Sequence, residues 1–193
     1  MKTIFVDVDT QIDFLFPAGA LYVPGSEHII PEIARLNRYA AGHGIPVIST
    51  TDAHEENDPE FKSWPPHCVV GTAGQAKVSE TRLPRSCTVT VDPGIPDELA
   101  DQFIVEKKVL DVFSNPNFPA LLDRLKADRY VVYGVATDYC VHRALLGLLA
   151  TGKQVVAVTD ALAAVKPEDG ARALADFTSR GGTLTTVAEV CVS

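Results

Sequence analysis

Cys140 lies in the run Tyr130-Val131-Val132-Tyr133-Gly134-Val135-Ala136-Thr137-Asp138-Tyr139-Cys140-Val141, where a strand hands over to a helix. The β-branched and aromatic stretch reads as a buried strand, with Gly134 marking a turn at its end. From His142 to Ala150 the pattern is helical, with leucines at Leu145, Leu146, Leu148 and Leu149. A thiol at such a junction meets the helix dipole and unpaired backbone N–H groups, which favour the thiolate. The same N–H groups could hold an oxyanion formed on a substrate carbonyl. The competing reading is an inert core cysteine, the commoner fate of a lone buried thiol.

Other reactive side chains fall at the ends of apolar runs. The first run ends in Asp7-Val8-Asp9-Thr10-Gln11-Ile12-Asp13-Phe14, whose carboxylates could serve as general base or orienter, or could form a solvated turn. Gln102 to Glu106 leads into Lys107-Lys108. A lysine near a thiol stabilises the thiolate and keeps a neighbouring carboxylate ionised, although paired lysines are more often simply exposed. Asp52-Ala53-His54 with the distant His67 offers oxygen and nitrogen ligands suited to zinc, iron or manganese. Capping or packing roles are the alternative for both histidines.

The elements that must position these groups alternate as strand and helix. Strands are expected at Thr3–Val8, Pro46–Thr51, Phe103–Glu106, Tyr130 onward, Gln154–Val158 and Leu184–Val187. Helices are expected over Glu27–Gly42, Pro119–Ala127, the residues after Cys140, and Pro167–Thr178. This order implies an α/β fold: a doubly wound, Rossmann-like parallel sheet with helices on both faces, an αβα three-layer arrangement. The site then lies at the carboxyl ends of the strands. Only Asp52 to about Asp101 breaks the alternation, rich in Pro, Gly, Asp and Glu with one strand-like patch at Cys87–Val91. A connection of that length is usually functional. No linker or repeat divides residues 1–193, so one domain is expected, and no phosphate-binding glycine loop suggests a nucleotide cofactor.

A formal charge of −8 disfavours nucleic acid or an anionic membrane as partner. No apolar run approaches the ~20 residues of a membrane span. The chain enters strand-like sequence without a signal peptide, and its four scattered cysteines suit a reducing cytoplasmic setting.

Taken together, these motifs resemble the cysteine-hydrolase branch of the isochorismatase-like superfamily, and within it the nicotinamidase-like amidases. Phe5-Val6-Asp7-Val8-Asp9-Thr10-Gln11-Ile12-Asp13-Phe14 is similar to the V-D-x-Q-x-D-F entry, which assigns the catalytic carboxylate to Asp9 rather than Asp7. A Lys followed six residues later by Phe matches Lys107 and Phe113 and excludes Lys108. Gly134 to Val141 is similar to the G-x-x-T-D-x-C-V nucleophile turn. The resemblance implies an Asp9-Lys107-Cys140 triad, a cis bond between Val135 and Ala136, and an oxyanion hole from the N–H groups of Ala136 and Cys140. It also implies a pocket in which Phe14 and Trp64 flank a flat ring, with Ala136 and Tyr139 among the substrate-binding residues.

Asp52-Ala53-His54 … Trp64-Pro65-Pro66-His67-Cys68-Val69-Val70-Gly71-Thr72 resembles the nicotinamidase metal loop. There a further His lies between the two stretches. Here Asp58, or less favourably Glu60, stands in its place, so the implied ligands are Asp52, His54, Asp58 and His67. The implied cofactor is a divalent metal, zinc first, with iron or manganese as alternatives. The implied activity is hydrolysis of a small primary amide through a thioester, nicotinamide being the first candidate. The Asp58 departure and Leu15-Phe16-Pro17-Ala18-Gly19 at the mouth keep another carbamoyl, ureido or cyclic amide open. From a different class, the chain could be a non-catalytic binding module or thiol redox sensor. Homo-oligomers are common among such relatives, whereas an apolar helix after Cys140 is by itself ordinary core.

Overall fold

The first strand shows how the sheet is built. Ile4, Val6 and Val8 pack into one apolar cluster, while Phe5 packs into a second on the opposite face. Tyr130 and Val132 likewise face the first cluster, and Val131, Tyr133 and Val135 the second. Strands apolar on both faces belong in a sheet covered on both sides.

The structure is a computed structural model describing residues 1–97 and 100–192. Among them, β1 (Thr3–Val8), β2 (Val47–Asp52), β3 (Ser86–Val89), β4 (Gln102–Lys107), β5 (Arg129–Val135), β6 (Gln154–Ala163) and β7 (Thr183–Thr185) form one sheet. Its order is β3-β4-β2-β1-β5-β6-β7, and every pairing is parallel. The helices are α1 (Ile12–Leu15), α2 (Ile30–Gly42), α3 (Phe118–Leu125), α4 (Cys140–Ala150), α5 (Pro167–Ser179) and α6 (Val187–Val190). Helices α2 and α6 cover one face, and α3, α4 and α5 the other. This is the doubly wound architecture expected. No helix among the described residues is long and apolar enough to cross a membrane.

Several boundaries differ from expectation. Ser26–Ile29 is a turn of 3-10 helix ahead of α2, and Pro31, whose missing N–H costs nothing there, sits in the first turn of α2 itself. Val187 opens α6 instead of closing a strand. Thr186 caps that helix reciprocally with Glu189, and the capping box overrides the β-branched composition. The leucine-rich side of α4 is core, with Val141, Leu145 and Leu148 wholly buried. Among the described residues, the regular elements between β2 and β4 are short 3-10 turns and β3. Glu98 and Leu99, within it, lie outside the described residues.

Gly134 is not the turn at the strand's end. It lies inside β5 with φ 118°, where the β5–β6 register shifts between Val132 and Gly134. A Cβ there would stand 2.1 Å from the Val8 carbonyl oxygen. The glycine therefore lets β5 approach the end of β1, which brings the Cys140 turn beside Asp9. We expect Gly134→Ala to lower stability by ~2–4 kcal/mol in denaturant melts, from forced backbone and overpacking together. Gly152→Ala, also at positive φ (75°) but with open space around it, should cost only ~1 kcal/mol. Equal losses would show that the close approach is unimportant.

Candidate active site and metal centre

Four neighbouring strands deliver the reactive groups at their carboxyl ends. Asp9 follows β1, Asp52 ends β2, Lys107 ends β4, and Cys140 starts the helix after β5. Parallel register sets Asp52 directly opposite Lys107, and Val8 opposite both Thr50 and Gly134. The point where the winding reverses, between β1 and β5, is where open α/β sheets bind ligands.

Lys107 is 1% exposed and sits among three anionic or ionisable partners. Its Nζ lies 2.9 Å from Asp9 Oδ2 and 3.5 Å from Cys140 Sγ, and it donates to Asp52 Oδ1. Burial opposes its charge, but Asp52 and Asp9 outweigh that and hold the ammonium well above the ordinary lysine range. For Asp52, burial is likewise outweighed by Lys107 and the two imidazoles, and its carboxyl lies far below the usual carboxylate range. Asp9 goes the other way. Burial and the nearby Asp52 raise it, and Lys107 with the Thr50 hydroxyl (2.6 Å) only partly offset this.

Burial also pushes the Cys140 thiol well above its ordinary value, and Asp9 and Asp52 add to the effect against Lys107. The helix-dipole argument for a resting thiolate is therefore overridden by dehydration and by two carboxylates facing a single ammonium. A buried thiol hydrogen-bonded to a carboxylate of raised pKa can pass its proton to that carboxylate without changing the charge of the cluster. Lys108 is elsewhere, paired with Glu55 on the surface at 2.5 Å.

The turn carrying Cys140 is held from several sides. The Val135–Ala136 bond is cis. The N–H groups of Thr137, Tyr139 and Val141 go to Ala163 O (2.8 Å) and Ala136 O (3.0 and 3.1 Å). Those of Ala136 and Cys140 are not among them. Tyr139, the residue before α4, provides no side-chain cap for the helix. Asp138 accepts from the N–H groups of Val165 and Lys166 (both 3.0 Å), and Phe113 packs onto Gly147, where a Cβ would lie 2.3 Å from its ring.

A narrow cavity of about 70 Å³, open at its mouth, reaches this cluster. Asp9, Cys140 and Ala136 form part of its lining, with Phe14, Trp64 and Tyr139 among its walls. Trp64 and Tyr139 meet edge to face at 5.1 Å, and Phe14 lies 5.5 Å from the His67 ring. Asp52, His67 and Glu60 add a polar side to an otherwise apolar pocket.

On that side, ligand atoms of Asp52, His54 and His67 lie within 4.8 Å of one another. Asp52 Oδ2 faces His54 Nε2 at 3.8 Å and His67 Nε2 at 3.6 Å. His54 Nε2 and Nδ1 are both buried without a well-aligned hydrogen bond, Nδ1 having only the Asp58 carboxylate within ion-pair distance. His67 Nδ1–H donates to Pro65 O (2.8 Å), which turns Nε2 toward the cluster. One carboxylate oxygen and two imidazole nitrogens fit zinc, iron or manganese with coordination positions left open.

Asp58 does not join them. Its Oδ2 lies 3.1 Å from His54 Nδ1, behind the ring, because the side chain also caps the 3-10 turn Pro59–Lys62 through Glu60 N–H. Asp52 and Asp58 together outweigh burial and push His54 upward. Of the two acidic residues near the position of the missing histidine, Glu60 is the one that lines the cavity, its carboxyl raised by burial and by Asp52.

Two residues without an assigned role mount this side. Gln11 brackets the Asp52 backbone, accepting from its N–H (2.7 Å) and donating to its carbonyl (2.8 Å). Asp13 accepts from Cys68 N–H (2.7 Å) and Ala20 N–H (2.9 Å), tying the His67 loop to the pocket mouth. Both belong to the polar stretch Asp7 to Phe14 that follows the first apolar run, and their place in it was the available signal.

Residues 3–189 match the Isochorismatase domain family. The chain belongs to that family. It is 28% identical to the nicotinamidase of Escherichia coli (strain K12) over 210 aligned positions, covering 94% of this chain and 93% of that one. N-carbamoylsarcosine amidase of an Arthrobacter species is 26% identical over 76% of this chain and 54% of its own length. The pyrazinamidase of Pyrococcus horikoshii, solved in complex with zinc, superposes with a TM-score of 0.81 at 31% identity, covering 96% and 99% of the two chains. The family and these relatives mark the chain as an isochorismatase-family amidohydrolase.

Because Asp58 backs His54, Asp58→Ala is expected to weaken zinc(II) binding ~10- to 100-fold, as loss of an outer-shell partner does. Asp58→Asn, which keeps an acceptor for Nδ1–H, should retain most of the affinity in chelator competition. A metal-edge spectrum that loses a carboxylate ligand in either variant would contradict this placement.

Proposed function

We propose that the chain is a cysteine amidohydrolase that cleaves the C–N bond of a small, ring-bearing primary amide, with nicotinamide as first candidate. The observation that carries this reading is one buried ammonium, Lys107, in contact with both Asp9 Oδ2 (2.9 Å) and Cys140 Sγ (3.5 Å), two residues that line an aromatic-walled pocket.

Asp9 takes the Cys140 proton while Lys107 compensates the charge that moves to sulfur. The thiolate attacks the amide carbonyl, and the N–H groups of Ala136 and Cys140 receive the oxyanion. Asp9 then returns the proton to the departing ammonia, leaving a thioester. Water deprotonated by Asp9 hydrolyses that thioester and regenerates the thiol. Phe14 and Trp64 sandwich the ring and exclude bulk water. Asp52, His54 and His67 would hold a divalent ion, zinc first, whose chemistry is to orient the substrate ring or a water.

A second reading keeps the same residues and changes the substrate to a carbamoyl or ureido amide. It is favoured by Glu60, a carboxylate in the pocket wall suited to ureido N–H donors, and by the similarity to N-carbamoylsarcosine amidase. The redox-sensor reading fares worse, because oxidation follows thiolate character and burial pushes the Cys140 thiol upward, away from it.

The test is ammonia release from nicotinamide and from a ureido-acid panel by zinc-loaded protein. Cys140→Ala should abolish turnover while the fold persists, and Lys107→Met should lower kcat/KM by ~10²-fold or more. Lys108→Met should change it by less than ~2-fold, being a surface substitution. Residual activity in Cys140→Ala would sink the nucleophile, and equal effects of the two lysine variants would sink the triad. Preference for a ureido acid over nicotinamide would select the second reading.

A further inference from the structure

Beneath the reacting groups lies a second buried charge pair that the proposed chemistry leaves unused. Asp7 is wholly buried in β1, and Lys77 reaches it from the long β2–β4 connection, with Nζ 2.6 Å from Oδ2 and the side chain 3% exposed. Thr10 Oγ1 (2.9 Å), Asn37 Nδ2 (2.8 Å) and Ser49 Oγ (3.3 Å) also donate to the carboxylate. Replacing such a pair with apolar residues is often neutral or stabilising, so stability alone is a weak reason to have it.

What it does geometrically is clearer. Lys77 lies opposite Gln11 in an isolated antiparallel bridge. Val78 N–H donates to Thr10 O (3.0 Å), Ile12 N–H to Ala76 O (3.0 Å) and Asp13 N–H to Gly74 O (3.1 Å). This short pairing lays residues 74–78 along the segment that follows Asp9. A slip of one residue in such a pairing turns every side chain to the other face. An ammonium whose carboxylate partner is fixed inside the sheet permits one register only. The same register fixes the loop that carries His67. Gly74 packs so tightly on Asp13 that a Cβ would lie 2.2 Å from Oδ2, and that same oxygen accepts from Cys68 N–H, the residue after His67.

We propose that Lys77 is a positioning residue for the metal-side wall. Through Asp7 it sets the register of residues 74–78 on residues 10–13, and so holds His67 opposite Asp52 and His54. The inference rests on the reading of Asp52, His54 and His67 as metal ligands.

The experiment measures zinc(II) affinity of the whole chain by competition with a chromophoric chelator, with His67→Ala as the blank and thermal melts in parallel. Lys77→Met strands a buried carboxylate, so both melting temperature and zinc affinity should fall, affinity by ~10- to 100-fold. Asp7→Asn/Lys77→Met removes both charges at nearly constant volume, so melting temperature should recover while affinity stays low. Affinity that recovers together with melting temperature, or that never falls in Lys77→Met, would make the pair merely structural and overturn the proposal. Should Lys77→Met fail to fold, the double variant decides alone. A native chain that binds zinc no better than the blank would instead refute the metal reading beneath it.

Discussion

A fully buried ammonium must be surrounded by negative charge or give up its proton, and the site depends on that constraint at Lys107. Two carboxylates and a thiol converge on it because four parallel strands end at the same level. The β2–β4 register supplies Asp52, the close β1–β5 approach at Gly134 brings in Cys140, and the Asp9 backbone, at φ 49°, turns its carboxylate inward. One cation cannot satisfy both carboxylates and a thiolate in a dehydrated space. Burial first, and the surplus of negative charge after it, raise both Asp9 and Cys140, whereas Asp52, in contact with Lys107 and the imidazoles, is depressed.

Asp52 joins two charge centres. Its Oδ1 accepts from Lys107, and its Oδ2 faces both imidazoles at 3.6–3.8 Å. A residue with two tasks in opposite directions tolerates little displacement, which accounts for the support around it. Gln11 holds both backbone groups of Asp52, Asp13 anchors Cys68, and the Asp7–Lys77 pair seats the returning chain. The long connection between β2 and β4 is thus a wall bolted at several points to the residues just beyond β1.

The sheet was legible because buried parallel strands announce themselves as continuous apolar runs, and the reactive residues because they sit at the ends of those runs. Lys107 is preferred to Lys108 only through the family resemblance, in which a Lys is followed six residues later by Phe, and the packing of Phe113 on Gly147 gives that Phe a structural use. Other features depend on tertiary approach, which spacing does not encode. Gly134 reads as a turn residue until the Val8 carbonyl is found against it. Asp58 reads as a ligand until the turn it caps points its carboxylate at Nδ1 rather than Nε2 of His54. The thiol's raised pKa could not be read from its helix position either, because it is set first by burial and then by Asp9 and Asp52, all of which arise only in the fold.

Charge counting also limits how protons can move at this site. With both carboxylates ionised, Lys107 protonated and Cys140 a thiol, the cluster of Asp9, Asp52, Lys107 and Cys140 carries one negative charge. Exporting the thiol proton to solvent would add a second negative charge in a buried volume, which dehydration opposes. Passing it to Asp9 leaves the sum unchanged, and the raised pKa of Asp9 makes it a stronger base than an exposed aspartate. The burial that keeps the resting thiol protonated therefore also selects its proton acceptor. It would raise thiol and carboxylate together if they stood alone, and the Lys107 ammonium, touching both, narrows the cost of moving charge from one to the other.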